Sequence, residues 1–182
     1  MKGEEMSAIA GIYHFNQEPI AVEHCNEMME SLKRYPADDI GTWKRENIFL
    51  GCHTRWITPG SIGERLPCYD RNRNLVITSD DILDNRRELF ERLQVGTNIS
   101  KKSDNQLILT AYDKWRKETP KRLIGSFTFM IWDDRKKMLF GARDFSGSRT
   151  LYFHRTNENF AFCTIIKPLL NLPYVKKGLN EE

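Results

Sequence analysis

Apolar positions change rhythm along this chain, and each rhythm predicts an element. Residues 8–15 (Ala8-Ile9-Ala10-Gly11-Ile12-Tyr13-His14-Phe15) form an almost unbroken apolar run, which predicts a buried first strand. The stretch before it, Met1 to Ser7, reads as a polar tail. From Pro19 to about Arg34 the apolar residues Ala21, Cys25, Met28, Met29 and Leu32 recur at helical spacing, giving one sticky face. That helix ends near Tyr35-Pro36, and residues 37–41 read as a loop. Strands are predicted at about 47–56 and 74–79. Between them Thr58 to Asn74, with its prolines and glycines, is long for a plain connection and suits the frame of a site.

Leu89, Phe90 and Leu93 mark a short helix after Asn85. A stronger helix starts at Ser103, which forms a capping-box pattern with Gln106 and leads into the stripe Leu107, Ile108, Ala111, Tyr112 and Trp115. The last third predicts strands at 126–132, 137–142, 150–154 and 159–164, with Asp133-Asp134-Arg135-Lys136 and Arg155-Thr156-Asn157-Glu158 as turns. In Phe127-Thr128-Phe129-Met130-Ile131-Trp132 both alternating faces are largely apolar, so this strand should be covered on both sides. A sheet held between a second sheet and helices meets that need. Residues 173–182 read as a polar exit segment.

Composition narrows the picture. A chain of 182 residues fits one domain, and 40% apolar with 29% charged residues suits a globular protein. The 28 Lys+Arg against 25 Asp+Glu leave a net charge of +3, too small and too dispersed to point to nucleic acid. Without a signal peptide or an apolar run of membrane-spanning length, the chain reads as cytoplasmic, with no membrane partner. Cys25, Cys52, Cys68 and Cys163 stand far apart, as do the four histidines, so reduced thiols and no metal site are expected. Cys52-His53 looks like a nucleophile beside its base, but neighbours in a strand point to opposite faces.

Several segments, in order, resemble the class II glutamine amidotransferase domain that opens asparagine synthetases. Ala10-Gly11-Ile12 is similar to the family opening Cys-Gly-Ile, and Cys52-His53-Thr54-Arg55-Trp56-Ile57 to a strand ending His-x-Arg-Leu. Asp80-Asp81-Ile82-Leu83-Asp84-Asn85 stands in the place of Asn-Gly-Glu-Ile-Tyr-Asn, and Ser103-Asp104 matches a Ser-Asp helix start. Gly125-Ser126-Phe127-Thr128-Phe129 resembles Gly-x-Phe-Ala-Phe, and the run from Arg143 to Tyr152 resembles Arg-Asp-x-x-Gly-x-x-Pro-Leu-Tyr with Thr150 for the proline. The stretch Ser7 to Tyr13 also looks like the N-terminal domains of lasso-peptide cyclases.

The resemblance implies an α+β fold of the N-terminal-nucleophile type: a four-layer αββα sandwich of two antiparallel sheets flanked by helices, spanning residues 8–172. It also implies roles. A terminal cysteine attacks the glutamine amide with its own α-amine as base, the Asn-Gly pair supplies the oxyanion hole, and an arginine and an aspartate hold the substrate. On this alignment Ala10 takes the nucleophile position and brings no lone pair. Asp80 and Asp81 take the oxyanion-hole positions, where an ionised carboxylate donates nothing. Arg55 and Asp104 survive as a relic substrate-binding pair, equally readable as a strand-end arginine and a first-turn helix acid.

The sequence thus predicts a degenerate glutaminase-like domain with a structural or docking role, part of an ATP-dependent amide-forming protein of lasso-peptide cyclase type. A working glutaminase domain and an amino-acid or peptide binding module are the alternatives. The family's ATP motif Ser-Gly-Gly-x-Asp-Ser is absent, so ATP and Mg²⁺ are expected only in a C-terminal synthetase domain or subunit. A precursor peptide and a second copy of the chain are the other partners the resemblance implies.

Overall fold

The computed structural model describes residues 6–95 and 102–175. Nine strands and four α-helices are found there: β1 (Ala8–His14), α1 (Val22–Leu32), β2 (Asp39–Arg45), β3 (Ile48–Thr54), β4 (Cys68–Asp70), β5 (Leu75–Leu83), α2 (Arg86–Leu93), α3 (Asp104–Trp115), β6 (Gly125–Asp133), β7 (Met138–Arg143), β8 (Tyr152–Arg155), β9 (Asn159–Cys163) and α4 (Lys167–Asn171). A 3₁₀ turn, Arg116–Arg122, follows α3. The strands form two antiparallel sheets, in the orders β2-β3-β1-β9-β8 and β4-β5-β6-β7.

Side-chain alternation explains the layering. In β1, Ala8, Ala10 and Ile12 face Met28 and Leu32 of α1, whereas Ile9 joins the larger core between the sheets and under α3. α1 and α4 therefore cover the first sheet, and α3 covers the second, with α2 packed on α3 and adding Leu89, Phe90 and Leu93 to the same core. The expected αββα sandwich is present. β6 is buried along both faces as its sequence predicts, with Phe129 tilted against Phe140 at 6.2 Å and Trp132 edge-on to Tyr13 at 5.0 Å. The capping box at α3 also forms, Ser103 N–H donating to Gln106 Oε1 at 3.4 Å.

Four differences from the sequence reading have physical causes. Residues 39–41, expected within a 37–41 loop, instead open β2: it is an edge strand, held by its ladder to β3 while Ile40 stays 58% exposed, so no apolar rhythm marks it. β4 interrupts the long stretch from Thr58 to Asn74. β5 continues to Leu83, through the polar Ser79-Asp80-Asp81, because β6 pairs with its whole length. At the ends, Ser7 is buried, and Tyr174 and Val175 pack on the α1 side of the core. The tail and exit segments are accordingly shorter than drawn from sequence; residues 1–5 and 176–182 lie outside the described residues.

Candidate functional site

The start of β1, the end of β3 and the middle of β5 converge at one end of the sandwich. Ser7 N–H donates to Asp80 Oδ1 at 3.0 Å, and Arg55 N–H donates to Ser7 Oγ at 3.0 Å. Asp80 is buried on the inner face of β5, like Thr78, whose hydroxyl donates across the sandwich to Gly51 O. Its Oδ2 lies 3.4 Å from the guanidinium of the buried Arg149. Burial pushes the Asp80 carboxyl up to about 6, the Arg149 charge and the Ser7 N–H pulling the other way.

Asp81 turns to the opposite face of the strand. Burial first, then the neighbouring charge of Glu64, pushes its carboxyl up to about 7. Glu64 is itself raised by burial and accepts a hydrogen bond from Asn105 Nδ2. Ser7, Arg55, Ser61, Glu64, Asp80 and Asp81 line a crevice with only about 10 Å³ of internal space. That is room for about one water.

The raised carboxyls have a measurable consequence. The folded protein keeps a proton on Asp81 that the unfolded chain releases above about pH 4, so stability is lost as pH rises from there through about 7. Asp81→Asn is expected to raise the melting temperature by several degrees near pH 8 and by little near pH 4.5. Thermal melts at the two pH values check this; an equal shift at both would contradict it.

The two groups expected to hold substrate are both engaged within the chain. Arg55 Nη1 sits 3.1 Å from Asp38 Oδ1, and Asp38 Oδ2 accepts from Trp56 N–H at 2.9 Å. Asp104 accepts Leu83 N–H at 2.9 Å through Oδ2 and pairs with Arg86 through Oδ1. Arg86 in turn donates to Lys102 O at 2.5 Å. Asp104 lies outside the crevice lining, so the structure does not bring the expected Arg55–Asp104 pair together around one cavity.

Position 10 needs correction. Ala10 pairs with Gly51 and Cys163 in the middle of the first sheet and is fully buried toward α1 and α4. It meets neither Arg55 nor Asp80; Ser7 meets both. The two positions are three residues apart, and in a strand an odd offset reverses the face. Ser7-Ala8-Ile9 repeats the pattern of Ala10-Gly11-Ile12, small residues followed by isoleucine, so the sequence alone matches the family opening at either place. Sequence reasoning also missed Asp38, Glu64 and Arg149, which carry no local signal for partners far along the chain.

Cys52 and His53 are not a dyad. The Cys52 thiol is fully buried, pushed up to about 12 by that burial, and receives the Thr54 hydroxyl at 3.4 Å. His53 Nδ1 lies 3.5 Å from Tyr35 O instead. Asp144 is a turn anchor. It accepts from Ser146 Oγ at 2.5 Å, from Ser148 N–H at 3.0 Å and from Ser148 Oγ at 2.8 Å.

The sequence profile described as a glutamine amidotransferase domain matches residues 6–182. The chain belongs to that family. The family match starts one residue before Ser7 and so includes every residue of the crevice. Among curated relatives, this amidotransferase domain is 26% identical over 179 residues to asparagine synthetase [glutamine-hydrolyzing] 3 of Bacillus subtilis, covering 96% of this chain and 29% of the relative. It is 28% identical over 194 residues to putative asparagine synthetase [glutamine-hydrolyzing] 2 of Methanocaldococcus jannaschii, covering 96% and 37%. The chain thus spans about a third of the length of these relatives. Among solved structures, glutamine phosphoribosylpyrophosphate amidotransferase of B. subtilis superposes with a TM-score of 0.64 at 15% identity, over 86% of this chain and 41% of that one, a likeness of fold. No helix among the described residues is long and apolar enough to cross a membrane.

Proposed function

We propose that this chain is a glutaminase-like domain that does not hydrolyse glutamine and that serves as a structural or docking part of an ATP-dependent, amide-forming protein, with peptide cyclisation of the lasso-peptide type as its reaction. The observation that carries the reading is Asp80 beside Ser7. Splitting a carboxamide by nucleophilic attack requires a nucleophile with a base to activate it, and donors aimed at the developing oxyanion. Ser7 takes the place that the family resemblance gives to the terminal cysteine. It offers a hydroxyl rather than a thiol, and its own N–H donates to Asp80.

Electrostatics point the same way. A carboxylate about 4 Å from a developing oxyanion repels it by about 4 kcal/mol at an effective dielectric constant near 20, where an oxyanion-hole donor would stabilise it. The side chains that resemble substrate clasps are engaged by Asp38 and by Arg86 with Leu83 N–H, in the manner of a substrate carboxylate and ammonium. A crevice of about 10 Å³ is also far below the roughly 300 Å³ at which ligand pockets begin. On this reading ATP and Mg²⁺ belong to a C-terminal synthetase partner. The amine that attacks the activated carboxylate comes from a precursor peptide, so ammonia is not needed.

The alternative is a glutamine-hydrolysing domain, as the names of the relatives say of those proteins. A glutamate-release assay with glutamine separates the two. No turnover above buffer and no glutamyl adduct by intact mass spectrometry are expected; a glutamyl ester on Ser7 would overturn the proposal.

A further inference from the structure

Away from the crevice, the two sheets part on the side where β7 and β8 form their outer edges. β7 pairs with β6 alone and β8 with β9 alone among the described residues, so six and four residues of backbone, respectively, present one edge without a strand partner. Between them opens a cleft of about 710 Å³. Tyr13, Met130, Leu139 and Phe160 line its apolar interior, and Phe153, 67% exposed, stacks on Phe160 at its mouth with centroids 5.8 Å apart.

The charge of the cleft is one-sided. Lys137, Arg143 and Arg155 line it and no carboxylate does. Lys137 pairs with Asp134, outside the lining, at 2.8 Å. Arg143 and Arg155 are exposed and form no ion pair with any described residue; Arg155 lies over the Phe15 ring at 6.0 Å.

We propose that this cleft docks an extended, acidic segment of a protein partner, which adds as a strand to the β7 edge. Its alternate apolar side chains would enter between the sheets, and its carboxylates would meet Arg143 and Arg155. Three features select that occupant. The free N–H and C=O groups of an edge strand are satisfied by another backbone and not by an aliphatic ligand. Side chains of period two fit a gap between two sheets. The cations repel a second copy of the same edge, which carries the same Lys137 and Arg143, and favour a partner of opposite sign.

The test uses the full chain and a fluorescein-labelled peptide of about ten residues alternating glutamate with valine and phenylalanine, followed by fluorescence anisotropy. Saturable binding is expected, with at least about a tenfold loss when Arg143→Glu and Arg155→Glu are combined. The same peptide N-methylated along one edge should bind at least about tenfold more weakly, since it cannot complete the ladder. A lysine-for-glutamate peptide should fail to bind. Absence of binding, equal binding of the N-methylated or lysine peptide, or competition by decanoate in place of peptide would each overturn the proposal. Circular dichroism of the double variant, superposing on the parent, ties any loss to the cleft.

Discussion

Near pH 8, Arg149→Met is expected to lower stability by about 3 kcal/mol, because it leaves the buried Asp80 carboxylate without its guanidinium. Near pH 5 the loss should be much smaller. The sign follows from the raised Asp80 carboxyl, which holds its proton up to about 6 in the folded protein. Below that value Asp80 is neutral and has little to lose with Arg149; above it the ion pair matters increasingly. Without Arg149 the folded carboxyl rises further, so the penalty grows with pH. Adding Asp80→Asn should restore most of the stability near pH 8. Urea unfolding of the single and double variants at both pH values checks this. A loss independent of pH, or one that Asp80→Asn does not relieve, would show that Arg149 acts through packing instead.

Asp144→Ala should be similarly costly, about 3 kcal/mol at neutral pH, or roughly 6–12 °C in melting temperature for a domain of this size. Burial acts to raise the Asp144 carboxyl. The Ser146 hydroxyl, the N–H and hydroxyl of Ser148 and the Arg149 N–H outweigh it and hold the group well below the usual carboxylate range. A depressed carboxyl contributes its full stability above about pH 4 and loses it as pH falls toward the folded value. The gap between wild type and variant should therefore narrow in acid. Because Asp144 also holds the backbone of Arg149, the variant should disturb the Arg149–Asp80 contact. Thermal melts between about pH 3 and 7 measure the effect, and a neutral-pH midpoint equal to wild type would contradict it.

The layered fold was legible because its burial is written into local periodicity. Phe127 to Trp132 is apolar on both faces, and the stripe from Leu107 to Trp115 needs a sheet beneath it. β2 was not legible, since an edge strand is made by its neighbour's backbone and not by its own side chains. Asp80, Asp81 and Arg55, which line the crevice, stand in segments that the sequence singles out. Ser7 was missed because two similar tripeptides stand three residues apart, and only pairing with β3 and β9 shows which one reaches β5. The engagement of Arg55 by Asp38 and of Asp104 by Arg86 depends on side chains brought together from separate elements. No local pattern encodes that.

One contact has a wider chemical consequence. With Met6 joined ahead of it, the nitrogen at position 7 belongs to a planar amide whose electron pair is delocalised into the adjoining carbonyl. Such an atom cannot take up a proton near neutrality. In this chain, a sulfur atom installed on residue 7 would therefore adjoin an amide nitrogen rather than an amine, and that nitrogen could not relay its proton.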